Sequence, residues 1–453
     1  MDPLTLKEIA QMAGAEIIRG SGDGIISRVG KDTRTIRPGD LYVALRGEQF
    51  DGNAFATDAA ARGAAAVLLD SPEAVGALPD GFPVLLADNG LAALTRLAAA
   101  WRDRLNLKVL CITGSNGKTS TKDFAAAVLG ARFKVTKTEG NLNNHIGLPL
   151  SILAAGSSDT AAVWEIGMNH PGEVAPLAAL ARPDAAIVTN IGVAHIEFLK
   201  SREEIAIEKG ALAEAVPPSG FVVLSTADDQ SDKIAARCQA RVLRTGLASG
   251  DLTASALAES EDSCSFVLHV AGQLLGARIP CHGAHMVANA LQAVAAGIEF
   301  GISPQVAVAA LAKAQLAGGR LERRTIRGIS FLDDTYNASP DSMVAALATL
   351  RALPGSGHRI AILGKMGELG EHAAEGYRRT GLAAGQFADI LVAVGPETAP
   401  LAEAAREAGL GRTHEVEDTA AAARMLAQLA KPGDIVLVKG SRTAQMENVL
   451  KSF

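Results

Sequence analysis

Apolar residues fall along this chain in two rhythms. In the first hundred residues short runs and amphipathic stretches are mixed. An apolar run at 41–45 leads into Gly47, an Ala-rich helical stretch covers 54–62, and a second apolar run occupies 65–69. A helix-period pattern over 90–104 ends in Trp101-Arg102-Asp103-Arg104, and the polar Asn106-Leu107-Lys108 after it reads as a boundary. From Val109 the rhythm becomes strand, loop, helix, with strands predicted at 109–113, 133–136, 161–166, 186–190 and 221–224. Short apolar strands separated by helices imply parallel pairing, because a parallel neighbour is reached only through a long crossover. Helices over about 284–297 and 304–314 close this block, and Gly318-Gly319 reads as a hinge. After Arg320 the alternation restarts, with strands predicted at 329–333, 360–363, 390–394 and 435–438. No fixed-period repeat or low-complexity tail interrupts the pattern.

Composition narrows the classes. With 453 residues, three domains are the natural division. Hydrophobic residues at 48% and charged residues at 20% describe a folded globular chain rather than a disordered one. Lys and Arg total 43 against 49 Asp and Glu, a net charge of −6, so bulk charge does not hold this chain on nucleic acid, and no nucleic-acid partner is expected. No apolar run approaches the roughly 18–20 residues needed to span a bilayer. Met1-Asp2-Pro3-Leu4-Thr5 lacks the basic and apolar regions of a secretory signal. The four cysteines form no CxxC pair, which suggests neither a zinc site nor a disulfide framework and fits a reducing cytoplasm.

The strongest local signal is Thr113-Gly114-Ser115-Asn116-Gly117-Lys118-Thr119-Ser120, which joins a buried-type strand to a helical pattern. Glycines let successive backbone N–H groups turn inward onto phosphate oxygens, and the helix N-terminus adds partial positive charge. Lys118 is placed to reach the β- and γ-phosphates and the Thr119 hydroxyl to ligate Mg²⁺, so ATP or another nucleoside triphosphate is implied. The strict phosphate-loop pattern would want glycine where Ile112 stands, so this is a variant. The expected fold is therefore α/β in three domains. A small mixed N-terminal module covers 1–105 and a central P-loop ATPase-like domain with a mainly parallel sheet covers 106–317. A C-terminal Rossmann-like α/β domain covers 318–453.

Three further stretches follow predicted strands, where open α/β sheets place ligands. Asn141-Leu142-Asn143-Asn144 offers donors and acceptors to a polar, uncharged ligand face, although Asn and Gly also dominate turns. Trp164-Glu165-Ile166-Gly167 puts a carboxylate at the end of an apolar strand, which is costly unless it is paired or metal-bound. Asn190-Ile191-Gly192-Val193-Ala194-His195 is read as ending a strand with a histidine.

These stretches resemble the Mur ligases, ATP-dependent amino-acid or peptide ligases of cell-wall precursor synthesis. The likeness runs from Asp32-Thr33-Arg34 to Gly440-Ser441-Arg442. Four segments, at 138–144, 165–173, 333–343 and 438–442, are most similar to the member that adds a dipeptide. The resemblance implies ligation of D-alanyl-D-alanine to UDP-N-acetylmuramoyl-tripeptide by a monomer. Other Mur-type ligases, a folylpolyglutamate-type synthetase and a P-loop switch ATPase stand as alternatives.

It also implies roles for individual residues. Gly114, Ser115, Asn116, Gly117, Lys118, Thr119 and Ser120 would hold ATP, joined by Asn289, Arg320 and Asp334. Thr119, Glu165, His195 and Lys209, the last carbamylated by CO₂, would hold Mg²⁺. Lys118, Lys209 and Arg320 would serve catalysis. Thr33 and Arg34 would meet the uridine nucleotide, Asn141, Asn143 and Asn144 the peptide substrate, and Tyr336 and Asn337 the incoming dipeptide. Three positions depart from the family pattern: Asn53, Met286 and Lys365.

Overall fold

A computed structural model describes residues 1–47 and 49–453. Three sheets carry the architecture. A five-stranded sheet near the N-terminus runs in the order Glu16–Arg19, Val84–Leu86, Ala66–Leu69, Asp40–Val43, Arg28–Gly30. A nine-stranded mixed sheet runs Gln273–Ile279, Cys264–Val270, Leu252–Glu259, Arg241–Gly246, Phe221–Ser225, Ala185–Val188, Lys108–Thr113, Ala161–Glu165, Val135–Lys137. A six-stranded C-terminal sheet runs Glu322–Ile326, Ile329–Asp334, Ile435–Lys439, Arg359–Leu363, Ile390–Val394, Thr413–Val416. The chain forms two compact units. The first comprises Met1–Cys111, Phe133–Met168 and Ala175–Pro183; the second comprises Ile112–Arg132, Asn169–Val174 and Asp184–Phe453.

In the first unit the helix Gly90–Arg104 starts where the Asn89 side chain accepts the Ala92 N–H at 2.9 Å, a standard remedy for an orphan first-turn donor. Trp101 and Arg102, the polar-looking end of the predicted helix, are both buried. Trp101 donates to the Ala155 carbonyl, and the Arg102 guanidinium donates to the carbonyls of Ala181 and Leu105. A buried cation is tolerated here because its N–H groups meet backbone oxygens and its planar face lies over Trp164.

In the second unit the parallel strands match the predicted alternation. Strands Ala185–Val188, Phe221–Ser225 and Arg241–Gly246 pair in parallel register. The pattern did not foretell the antiparallel extension of strands Leu252–Glu259, Cys264–Val270 and Gln273–Ile279. The last two form a hairpin through Ala271-Gly272, both at positive φ as a two-residue hairpin turn requires. A second unforeseen hairpin, Glu322–Ile326 with Ile329–Asp334, gives the C-terminal sheet one antiparallel edge. Its remaining strands pair in parallel over a core that includes Phe331, Ile360, Ile362, Val392, Val436 and Val438. Among the described residues no helix is long and apolar enough to cross a membrane.

Candidate active site

In the second unit the loop after Thr113 wraps under the helix Lys118–Leu129. Gly114 has φ 145°, and a Cβ there would fall 1.8 Å from the Thr189 hydroxyl oxygen. Gly117 has φ 81°, and a Cβ would fall 2.6 Å from Asn289 Oδ1. Both positions need the missing side chain as well as the left-handed freedom. The loop is tied to its neighbour strand: Ser115 N donates to the Asn190 carbonyl at 2.9 Å, and Asn116 N donates to Asn190 Oδ1 at 3.0 Å. The Asn116 carbonyl in turn accepts from Thr189 Oγ1 and Asn190 Nδ2. The helix itself begins at Gly117 with no side-chain cap, and a helix N-terminus of this kind carries partial positive charge. Lys118 Nζ donates to the Gly114 carbonyl at 2.8 Å, and Thr119 and Ser120 are buried beside it.

Asn289 lies on the helix Ala284–Glu299, packed over Gly117, and its Nδ2 faces the Met286 sulfur at 3.8 Å. Met286 is thus a buried apolar support for the Asn289 amide rather than a second polar contact.

His195 departs from expectation in its local setting. The strand stops at Val188, and His195 instead precedes the short helix Ile196–Leu199 with φ 65°. Its imidazole is mostly buried, which lowers its pKa, and its Nδ1 lies 2.5 Å from Glu368 Oε2. Lys209 sits on the helix Arg202–Glu214, completely buried, with no hydrogen-bond partner on Nζ among the described residues. Burial, followed by the field of Lys118, drives its pKa well below the usual lysine value. Lys118, His195 and Lys209 therefore share one electrostatic neighbourhood, since Lys118 and Lys209 also depress the His195 pKa.

The C-terminal block reaches the same loop. Ser339 Oγ donates to Asn116 Oδ1 at 2.9 Å, and the Asp341 carboxylate accepts the Val193 N–H at 3.1 Å while pairing with Arg379 at 2.7 Å. Arg320 stacks 4.0 Å from the Tyr336 ring centroid, its Nε buried without a partner among the described residues. Asp334 pairs with the buried Lys439 at 2.6 Å, and Lys439 also donates to the Asn337 carbonyl at 2.9 Å. Next to this pair His285 is held neutral, its pKa pushed by burial down to about 4.

The first unit holds the remaining residues. Glu165 ends its strand buried, its N–H bonded to Thr138 Oγ1 and its Oε1 accepting from Asn143 Nδ2 at 2.8 Å. Asn144 is spent on backbone: its Oδ1 accepts the N–H groups of Ile146 and Gly147 at the start of a helix. Asn141 is exposed, its carbonyl accepting the Asn143 N–H. Thr33 and Arg34 form a turn capped by Asp32, whose carboxyl the Arg34 guanidinium holds at about 2. The Arg34 side chain is exposed. Asn53 is buried, its amide donating to Asp51 and Asp70. Lys365 makes a loose 3.5 Å pair with Glu397.

Residue-type reasoning alone missed Ser339, Asp341 and Glu368, although all three lie in stretches rich in small residues that were visible.

Residues 112–297 match the Mur ligase middle domain, residues 319–442 the Mur ligase, glutamate ligase domain, and residues 25–100 the Mur ligase family, catalytic domain. The UDP-N-acetylmuramoyl-tripeptide–D-alanyl-D-alanine ligase of Bacillus subtilis is 37% identical over 453 residues, covering 99% of this chain and 98% of its own. The enzyme of the same name from Escherichia coli is 33% identical over 460 residues, covering 100% and 99%. Among solved structures, MurF from Acinetobacter baumannii superposes with a TM-score of 0.89 at 30% identity, covering 100% of this chain and 98% of its own. MurF ligase from Thermotoga maritima in complex with ADP gives 0.83 at 28% identity, covering 94% and 96%.

Proposed function

The chain belongs to the Mur ligase family, and we infer that it joins D-alanyl-D-alanine to the terminal carboxylate of UDP-N-acetylmuramoyl-tripeptide, an ATP-dependent, ADP-forming step of peptidoglycan synthesis. The observation that carries the reading on structural grounds is Lys209. A lysine wholly buried without a partner, in the field of Lys118, has no purpose in a simple nucleotide switch. It suits a ligase whose lysine must be a neutral amine in order to take up CO₂. In that step the Nζ lone pair bonds the carbon of CO₂ and one proton leaves, converting a site that rejects a cation into an anionic ligand.

A carboxylate is a poor electrophile. Transfer of the γ-phosphoryl group makes it an acyl phosphate, which the dipeptide amine attacks, and phosphate departs. Such a transfer asks the protein chiefly for positioning and charge neutralisation. The helix N-terminus after Gly117 would orient the phosphates, and Lys118 would leave the Gly114 carbonyl to meet the β/γ oxygens. Arg320 brings a second cation from the C-terminal block, Asn289 and Asp334 flank the nucleotide, and Tyr336 and Asn337 line the dipeptide's approach. Mg²⁺, held by Thr119, Glu165, His195 and a carbamylated Lys209, would supply further neutralisation of phosphate charge. Within the second unit, the His195 imidazole beside a lysine that resists protonation suits such a cation.

Asn143 and the exposed Asn141 would face the peptide substrate, whereas Asn144 serves the helix start, and the exposed Arg34 with Thr33 would face the uridine nucleotide. Domain roles follow: 1–105 for the UDP substrate, 106–317 for ATP, 318–453 for the dipeptide. We place the monomeric enzyme in the cytoplasm, in keeping with four free cysteines.

Phosphate release is the test. It is expected only when the UDP-tripeptide and D-alanyl-D-alanine are both present, assayed in parallel with diaminopimelate- and lysine-containing tripeptides. Release driven by ATP alone would return the chain to the switch class.

A further inference from the structure

Glu368 stands on the loop after the strand Arg359–Leu363, in the C-terminal block. Its Oε2 lies 2.5 Å from His195 Nδ1, although not in line with the ring N–H direction. Both residues hold positive φ, 58° for Glu368 and 65° for His195, a conformation that non-glycine residues adopt only where the surroundings impose it. The surroundings here are each other's segments. Glu197 N donates to the Glu368 carbonyl at 3.3 Å, and Gly370 lies close enough that a Cβ would meet Glu197 at 3.0 Å. Two strained backbone points thus meet at a single carboxylate–imidazole contact.

Imidazole binds a cation through one ring nitrogen, and the other N–H is normally held by an acceptor that sets tautomer and ring orientation. A carboxylate against Nδ1 favours the Nδ1–H tautomer and leaves the lone pair of Nε2 for a ligand.

Resting on the cation-binding role assigned above to His195, we propose that Glu368 is a positioning residue that holds His195 ready to bind a divalent cation. Because Glu368 comes from the C-terminal block, the His195 site is complete only when that block is docked on the phosphate loop. Ser339 and Asp341 make that docking through Asn116 and Val193.

The test uses the full chain with ADP and counts bound Mn²⁺ by electron paramagnetic resonance, a readout that does not depend on turnover. Wild type is expected to take up two ions, the first at Thr119 with the nucleotide phosphates and the second at His195. Glu368→Ala should weaken the second by about 10–100-fold and leave the first unchanged. Glu368→Gln, which keeps the shape and an acceptor oxygen, should recover most of the loss and guards against misfolding. In a His195→Ala background Glu368→Ala should add nothing. Unchanged second-site affinity in Glu368→Ala, or an effect that adds in full to His195→Ala, overturns the proposal and leaves the ligase reading standing. A single Mn²⁺ in wild type overturns the His195 role and this proposal with it.

Discussion

Lys209→Ala is expected to lose ligase turnover by about 10³-fold, the scale on which removal of a preorganised electrostatic group acts in a water-excluded site. Activity should return in part on addition of a short carboxylic acid, which supplies the missing anion in the space the side chain leaves. Full activity of the variant without additive would refute the carbamate role. Lys209→Met separates chemistry from stability. Burial holds the folded-state pKa well below the lysine value of 10.5 that the unfolded chain retains. Between those two values the unfolded state binds the extra proton, so the stability of uncarbamylated wild type should rise with pH across that window and fall as pH drops. Lys209→Met carries no such proton and should flatten that slope. In CO₂-free buffer near neutral pH it should melt a few degrees above wild type while remaining inactive. Thermal melts at several pH values check the sign; equal melting temperatures throughout would mean that the buried amine bears no desolvation cost.

Lys118→Ala is expected to cut kcat/KM for ATP by about 10²–10³-fold. The side chain is the one flexible cation in a loop whose other contributions come from backbone N–H groups, and it rests on the Gly114 carbonyl until phosphate competes for it. Because that contact is a local one within the loop, the variant should melt close to wild type, and the loss should appear in nucleotide titration calorimetry and in turnover together. Near wild-type turnover would remove the phosphate loop from the chemistry.

The two positions were legible to different degrees. Lys118 belongs to a contiguous motif: Gly114 and Gly117 are needed by the loop's own backbone, and the strand before and helix after it announce themselves by apolar pattern. Lys209 is the opposite case. It is one lysine on a helix whose neighbour Ile207 is exposed and whose neighbour Glu208 is charged, and only likeness to a family singled it out. The same holds for Asn144, a candidate contact by residue type that the fold uses to bind the N–H groups of a helix start. The hairpins of residues 252–279 escaped notice because their burial alternates irregularly along strands exposed on one face, so no clean apolar run marks them.

Local sequence by itself determined the alternating strands and helices, the phosphate loop and the apolar strand ending in Glu165, because each depends on backbone conformation and periodicity within a dozen residues. The tertiary structure alone decided that Lys209 lies in the dark beside Lys118, that Asp341 holds the Val193 N–H, and that Glu368 meets His195. Those facts depend on which surfaces pack together and which water is excluded, and residues far apart along a chain carry no local mark of the neighbour that will desolvate or orient them.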